Sequence, residues 1–191
     1  MVGPMATPRI LAFAGSARRE SLNRKFLAVA IQAARQAGCE VTLADLNELS
    51  LPLYHGDLED KAGMPENAAK LISLIATHRG LLVASPEYNS MITPLLKNTI
   101  DWCSRADENP FEGKIAAVIS ASPGALGGVR SLAMAQALLL KLGCRVVPGQ
   151  CFLANAGQGF DAEGRLVDVR AETNLKLLMA KLARAASGPA D

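Results

Sequence analysis

The chain has 191 residues, half of them apolar, and 20 Lys and Arg against 18 Asp and Glu, a formal net charge of +2. That length and composition suit one α/β domain whose core needs neither disulfides nor a structural metal. The near-balance of charge excludes the basic field of a nucleic-acid or anionic-membrane binder, and equally the acidic surface of an electron carrier.

Residues 1–8 read as a disordered tail ahead of a single domain over residues 9–187. The run RILAFA at 9–14 is short, apolar and closed by turn residues, the pattern of a buried strand. From Leu22, apolar residues at Phe26, Leu27, Ala30, Ile31 and Ala34 recur at threes and fours, which predicts a helix ending near Gly38. Residues 41–46 form a second strand and residues 49–61 are irregular. Pro65 sits in the first turn of a helix that runs to about His78. A third strand, 80–84, is apolar throughout. The next helix starts at Pro94, with Thr93 as its N-cap and Leu95, Leu96, Ile100 and Cys103 facing inward. A fourth apolar strand covers 114–120 and a helix covers 129–142. A fifth strand region opens at Val146, and a last helix covers 168–186.

Strands alternate with helices, and the central strands are unbroken apolar runs. Such a pattern predicts a parallel sheet covered on both faces, in the doubly wound order 2-1-3-4-5. In that order the ligand crevice lies beyond the carboxyl ends of strands one, three and four. Cys39, Cys103, Cys144 and Cys151 form no CxxC and have no His at metal-ligand spacing. They read as buried thiols in a reducing, cytoplasmic setting, and no metal is expected. Residues 1–8 do not read as a signal peptide, and no run is apolar enough to cross a bilayer.

Three loops should meet at the crevice. The first, GSARRESLN over 15–23, opens a helix, so its N–H groups and the helix dipole point at the space above. Hydroxyls of Ser16 and Ser21, the Asn23 amide and a guanidinium suit a phosphate monoester; alone, the stretch reads equally as a polar loop with a Ser N-cap. It is neither a GxGxxG turn nor a triphosphate-binding loop, and it lacks the acids of a phosphate-receiving signalling domain. In the second loop Pro86 and Pro94 hold the backbone while Glu87, Tyr88 and Asn89 offer polar edges beside a flat ring. The third, SPGALGGVR over 122–130, has three Gly in five residues and permits close backbone approach to a ligand. Together they describe a ligand with a phosphate at one end and a flat polar heterocycle at the other, which fits flavin mononucleotide (FMN).

The segments GSARRESLNRKFLAVA, SPEYNSMITPLLKNTIDW and SPGALGGVRSLAMAQALLLKLG resemble the three signatures of the NAD(P)H-dependent FMN reductases, flavodoxin-like proteins that include quinone, chromate and azo-dye reductases. The likeness runs in order from about Arg9 to Val147, and the PEYN…LKNxIDW segment is its most specific part. The resemblance implies that Ser16, Arg18, Ser21 and Asn23 hold the FMN phosphate. It further implies that Pro86, Glu87, Tyr88 and Asn89 line the isoalloxazine ring while Ser122, Gly124 and Gly127 close the other side. NADPH or NADH would be the co-substrate, a flavin or quinone the small-molecule acceptor, and the assembly a homodimer or homotetramer. Two departures from the pattern, Thr93-Pro94-Leu95-Leu96 and His55, bear on the partner subunit or second substrate.

The hard chemistry belongs to the flavin, so no catalytic side chain is expected. His55 and His78 read as structural, and Asp101 and Trp102 as core or subunit contacts. Arg18, Arg19, Arg105 and Arg130 read as solvated surface rather than as a 2′-phosphate site. The rival functions are a flavin-bound electron carrier and a flavin-binding regulatory protein, neither turning over nicotinamide.

Overall fold

The computed structural model describes residues 7–188. Its elements are β1 (Arg9–Ala14), α1 (Leu22–Gln36), β2 (Glu40–Leu43), α2 (Gly56–Ala62), α3 (Glu66–Thr77), β3 (Gly80–Ala84), α4 (Pro94–Cys103), β4 (Ile115–Ala121), α5 (Val129–Lys141), β5 (Arg145–Val146), β6 (Cys151–Leu153) and α6 (Val169–Ala186). All strand pairs are parallel, in the order β2-β1-β3-β4-β5, with β6 also on β4.

The period-two alternation of β1 builds two cores. Ile10, Ala12 and Ala14 pack with Phe26, Leu27 and Ala30 of α1 and Leu175, Leu178 and Leu182 of α6. Leu11 and Phe13 face the other side, against Leu71, Ile75, Leu96, Ile100, Leu132 and Leu139 of α3, α4 and α5. Covering both faces is what the uniformly apolar strands require.

Three expectations are corrected. Within the segment read as irregular, α2 forms because the His55 ring caps it, its Nδ1 accepting the Leu58 N–H at 3.2 Å. The second strand is shorter than expected, ending at Leu43. The fifth strand is broken in two: β5 pairs with Ile115 and Ala116, β6 with Ile119 to Ala121, and the pairing offset grows by two residues between them. Pro148, which has no N–H to give a ladder, lies in that break on the sheet's edge. Of the expected N-terminal tail, residues 1–6 lie outside the described residues, while the Pro8 carbonyl already accepts the Glu40 N–H. No helix among the described residues is long and apolar enough to cross a membrane.

Candidate functional site

The loops leaving β1, β3 and β4 meet at the carboxyl edge of the sheet. One pocket there is lined by Ser16, Arg18, Ser21 and Asn23 from the first, by Pro86, Glu87 and Tyr88 from the second, and by Ser122 from the third. Asn89, Gly124 and Gly127 are not among its walls.

Glycine is required where the first loop begins. A Cβ on Gly15 would lie 2.7 Å from Leu96 Cβ, so no other residue lets the loop pass α4 this closely. The Gly15 N–H donates to Ala84 O, and the Thr93 hydroxyl donates to Gly15 O at 2.6 Å. Thr93 also caps α4, accepting the Leu96 N–H at 3.2 Å, so this departure from the family pattern is a clamp between two loops. Beyond Gly15, the N–H groups of Ser16, Ala17, Arg19 and Glu20 meet no protein acceptor among the described residues. Ser21 caps α1, whose first turn holds no acid. Ser16 and Ser21 are buried, and the Arg18 guanidinium has no carboxylate partner among the described residues. Unspent N–H groups, a helix N-terminus, two hydroxyls and a free cation form a cradle for an oxyanion.

Asn23 has a different occupation. It is 4% exposed; its Nδ2 donates to Ala121 O at 2.7 Å and its Oδ1 accepts the Ala121 N–H at 2.9 Å. The amide therefore fastens α1 to the end of β4 and sets the width of the crevice.

The second loop is a two-residue hairpin. Tyr88 and Met91 exchange both backbone hydrogen bonds at 3.0 Å, and Asn89 and Ser90 both have left-handed φ, 51° and 68°. This is the turn type whose twist matches its flanking strands, so Asn89 serves the turn. Glu87 points toward α5. Its carboxylate accepts the backbone N–H groups of Arg130 and Ser131 at 3.2 and 3.3 Å and the Arg130 Nε–H at 2.8 Å. Burial pushes its pKa up, but the Arg130 guanidinium and the two helix N–H groups outweigh this and hold the carboxyl below its usual range. Tyr88, about half exposed, offers its ring to the pocket.

Three buried serines to which the sequence assigned no site role, Ser85, Ser120 and Ser131, hold this loop from below. Ser120 Oγ donates to Ser85 O at 2.7 Å, Ser85 and Ser131 share a hydroxyl bond at 2.7 Å, and Ser131 Oγ donates to Pro86 O at 2.7 Å. Two of them had a legible signal as lone hydroxyls in or beside otherwise apolar runs: Ser85 after GLLVA and Ser120 within IAAVISA.

In the third loop, Gly124 donates its N–H to Ser122 Oγ at 3.2 Å. Gly127 is a close-approach residue: φ is 58°, and a Cβ would lie 2.5 Å from Phe152 Cδ2 and 2.9 Å from Ala154 N. Its work is packing the loop onto β6.

The LKNTIDW stretch supports the site from behind. Asn98 Nδ2 and Trp102 Nε1 both donate to Pro52 O, at 2.9 and 2.8 Å, and the buried Trp102 meets the Tyr54 ring edge-on at 5.1 Å. Asp101 pairs with Lys97, and Arg105 donates to Glu59. His78 is buried, its ring bridging Leu74 O and the Thr42 hydroxyl. The four cysteines are buried and unpaired, and burial pushes the thiols of Cys103, Cys144 and Cys151 up to about 12. Among the described residues no group of three His, Cys, Asp or Glu is placed to hold a metal ion.

An oxyanion cradle after β1 and an aromatic shelf after β3, at the switch point of a 2-1-3-4-5 sheet, define a flavodoxin-like, mononucleotide-binding class of protein. The chain belongs to the NADPH-dependent FMN reductase family, whose model matches residues 8–159. It is 35% identical to an NAD(P)H-dependent FMN reductase of Pseudomonas aeruginosa, over 85% of this chain and 86% of that one. It is 34% identical to an NADPH:quinone oxidoreductase of Arabidopsis thaliana, over 91% and 89%. Among solved structures it resembles the flavoenzyme NAD(P)H:(acceptor) oxidoreductase FerB of Paracoccus denitrificans, with a TM-score of 0.81 and 28% identity over 94% of this chain and 97% of that one.

Proposed function

We propose that the protein is an FMN-dependent NAD(P)H oxidoreductase that reduces a flavin, quinone or similar small acceptor. The observation that carries this reading is the convergence of the three loops on one pocket, beside a set of anion donors that meet no protein acceptor among the described residues. The donor set fits the FMN phosphate: Ser16, Ser21, the N–H groups of the first loop and Arg18 would hold it. Pro86 and Tyr88 would carry the ring, with Ser122, whose Oγ accepts the Gly124 N–H, on its far side. Asn23, Glu87, Asn89 and Gly127 would act by position, fixing the walls that the ring meets. Held by Ser16, Arg18, Ser21 and Tyr88, FMN would supply two-electron chemistry between a nicotinamide and the acceptor. The chain needs to contribute orientation, N–H dipoles toward negative charge and an open ring face, and no acid or base.

The cysteines, buried and unpaired, support a cytoplasmic setting. The family resemblance implies a homodimer or homotetramer with the segment around Leu53, pinned by Asn98 and Trp102, at the contact, and sedimentation velocity would detect it.

The protein should take up FMN stoichiometrically, and anaerobic NADH or NADPH should bleach the bound flavin. No binding on titration would overturn the flavin reading. Binding without bleaching by either nucleotide would replace it with a carrier or regulatory protein.

A further inference from the structure

A second cleft adjoins the first and shares Ser16 with it, lying between α1 and the end of β2. Its floor includes Leu27, Ile31 and Leu46, all buried, and Leu43 on its wall is 58% exposed. One charged pair also lines it. Arg24 Nη2 donates to Asp45 Oδ2 at 2.6 Å, and Asp45 Oδ1 accepts the Asn47 N–H at 3.0 Å. The Asn47 N–H and the Arg24 guanidinium hold the Asp45 carboxyl below its usual range, against the opposing effect of burial, and so favour its ionised, acceptor form. A guanidinium carries five N–H groups, and Arg24 spends one on Asp45. An apolar slot beside an acceptor and a multiple donor matches the chemistry of a purine nucleoside with its ribose.

We propose that this cleft receives the adenosine end of the nicotinamide dinucleotide. The purine would lie on the apolar floor, and the ribose 2′ position would meet the ion pair. A free 2′-hydroxyl would donate to Asp45; a 2′-phosphate would accept from Arg24. The sheet order supports the span. The cleft sits at β2 and β1, the ring shelf at β3 and β4, about 10–15 Å away at one strand per ~4.8 Å. An extended dinucleotide covers that distance across the first loop. In dinucleotide-binding sheets of order 3-2-1-4-5-6 an acid after the second strand reads an adenosine ribose, and Asp45, just past β2, is an analogue of that position on a sheet of different order. The proposal rests on the hydride-transfer reading above, since it places the far end of the same co-substrate.

The test titrates FMN-loaded protein with 5′-ADP and 2′,5′-ADP and measures KM for NADH and NADPH. Arg24→Gln should weaken 2′,5′-ADP and raise KM for NADPH on the order of tenfold, the loss of one charge-assisted hydrogen bond. Asp45→Asn should do the same for 5′-ADP and NADH. In both variants kcat and FMN affinity should hold. Should the ion-pair variants fold poorly, Leu43→Glu, at an exposed position, sets an acid on the cleft wall and should weaken both ligands. Unchanged ADP affinities and KM values in Leu43→Glu and in the folded pair variants would overturn the proposal. Failure of both nucleotides to bleach the wild-type flavin would strike the hydride-transfer reading instead, and the ADP titrations would still report on the cleft.

Discussion

At the scale of single residues, the side chains nearest the crevice divide between facing a ligand and holding its walls. Asn23 belongs to the second group because both ends of its amide are spent on the Ala121 backbone. Asn23→Ala should therefore cost about 2–3 kcal/mol in urea denaturation, since it orphans a buried donor and a buried acceptor. Asn23→Asp keeps the bond from the Ala121 N–H but sets an oxygen against the Ala121 carbonyl, so it should lose stability and FMN affinity together. A variant that lost affinity at full stability would make Asn23 a direct phosphate ligand. Ser90 gives the opposite sign. It holds φ of 68° at the second turn position, where glycine is the favoured residue. Ser90→Gly should relieve more left-handed strain than it adds in unfolded-chain entropy, a net gain of about 0.5–1 kcal/mol, read as a raised urea midpoint.

At the scale of elements, the link between the second loop and α5 carries a pH dependence. The Glu87 carboxyl, lowered in the folded protein, contributes stability above its ordinary value of 4.5. That contribution fades as pH falls below 4.5 and through the depressed folded value. Glu87→Gln should be less stable near neutrality, and its stability should fall less steeply from pH 5 toward pH 3, measured by urea unfolding at each pH. A wild-type slope retained in the variant would show that other carboxylates dominate. The sequence announced the elements on either side of this link, because apolar runs at 80–84 and 114–120 and the Thr93-Pro94 start each have a local cause. It could not announce the link itself. Nothing local says that Glu87 caps a helix 43 residues away, or that Ser131 bonds the Pro86 carbonyl. The same limit hid α2, which rests on one His cap, and the Pro148 break, whose cost depends on which edge is free. That Ser16, Arg18, Ser21 and Tyr88 come together was legible because those residues lie on the loops themselves, and they line one pocket. Asn89 reads in the sequence as a polar edge beside the ring and Gly127 as a point of close approach to a ligand; the hairpin φ of the one and the β6 contact of the other depend on partners that no local pattern announces.

At the scale of the whole molecule, the site draws on the central strands β1, β3 and β4, and each loop is tied to another. Thr93 joins the second to the first, Asn23 joins α1 to the end of β4, and Glu87 joins the second to α5. A ligand that bridges all three loops would add to the stability of the entire sheet rather than of one segment. FMN at about 100 times its Kd adds about 2.7 kcal/mol to the folded state by mass action. For a domain of this size that corresponds to a Tm rise of about 5–10 °C in a single transition. Cutting one tie should shrink this gain along with the affinity, so Asn23→Ala at the same FMN concentration should show a smaller rise than wild type. A full-sized rise in Asn23→Ala would mean that FMN binding does not depend on the spacing between α1 and β4. A rise confined to one of two transitions would mean that the ligand stabilises a local segment only. Calorimetry with and without FMN separates these outcomes, because a rigid crevice built across three strands predicts one peak that moves as a whole.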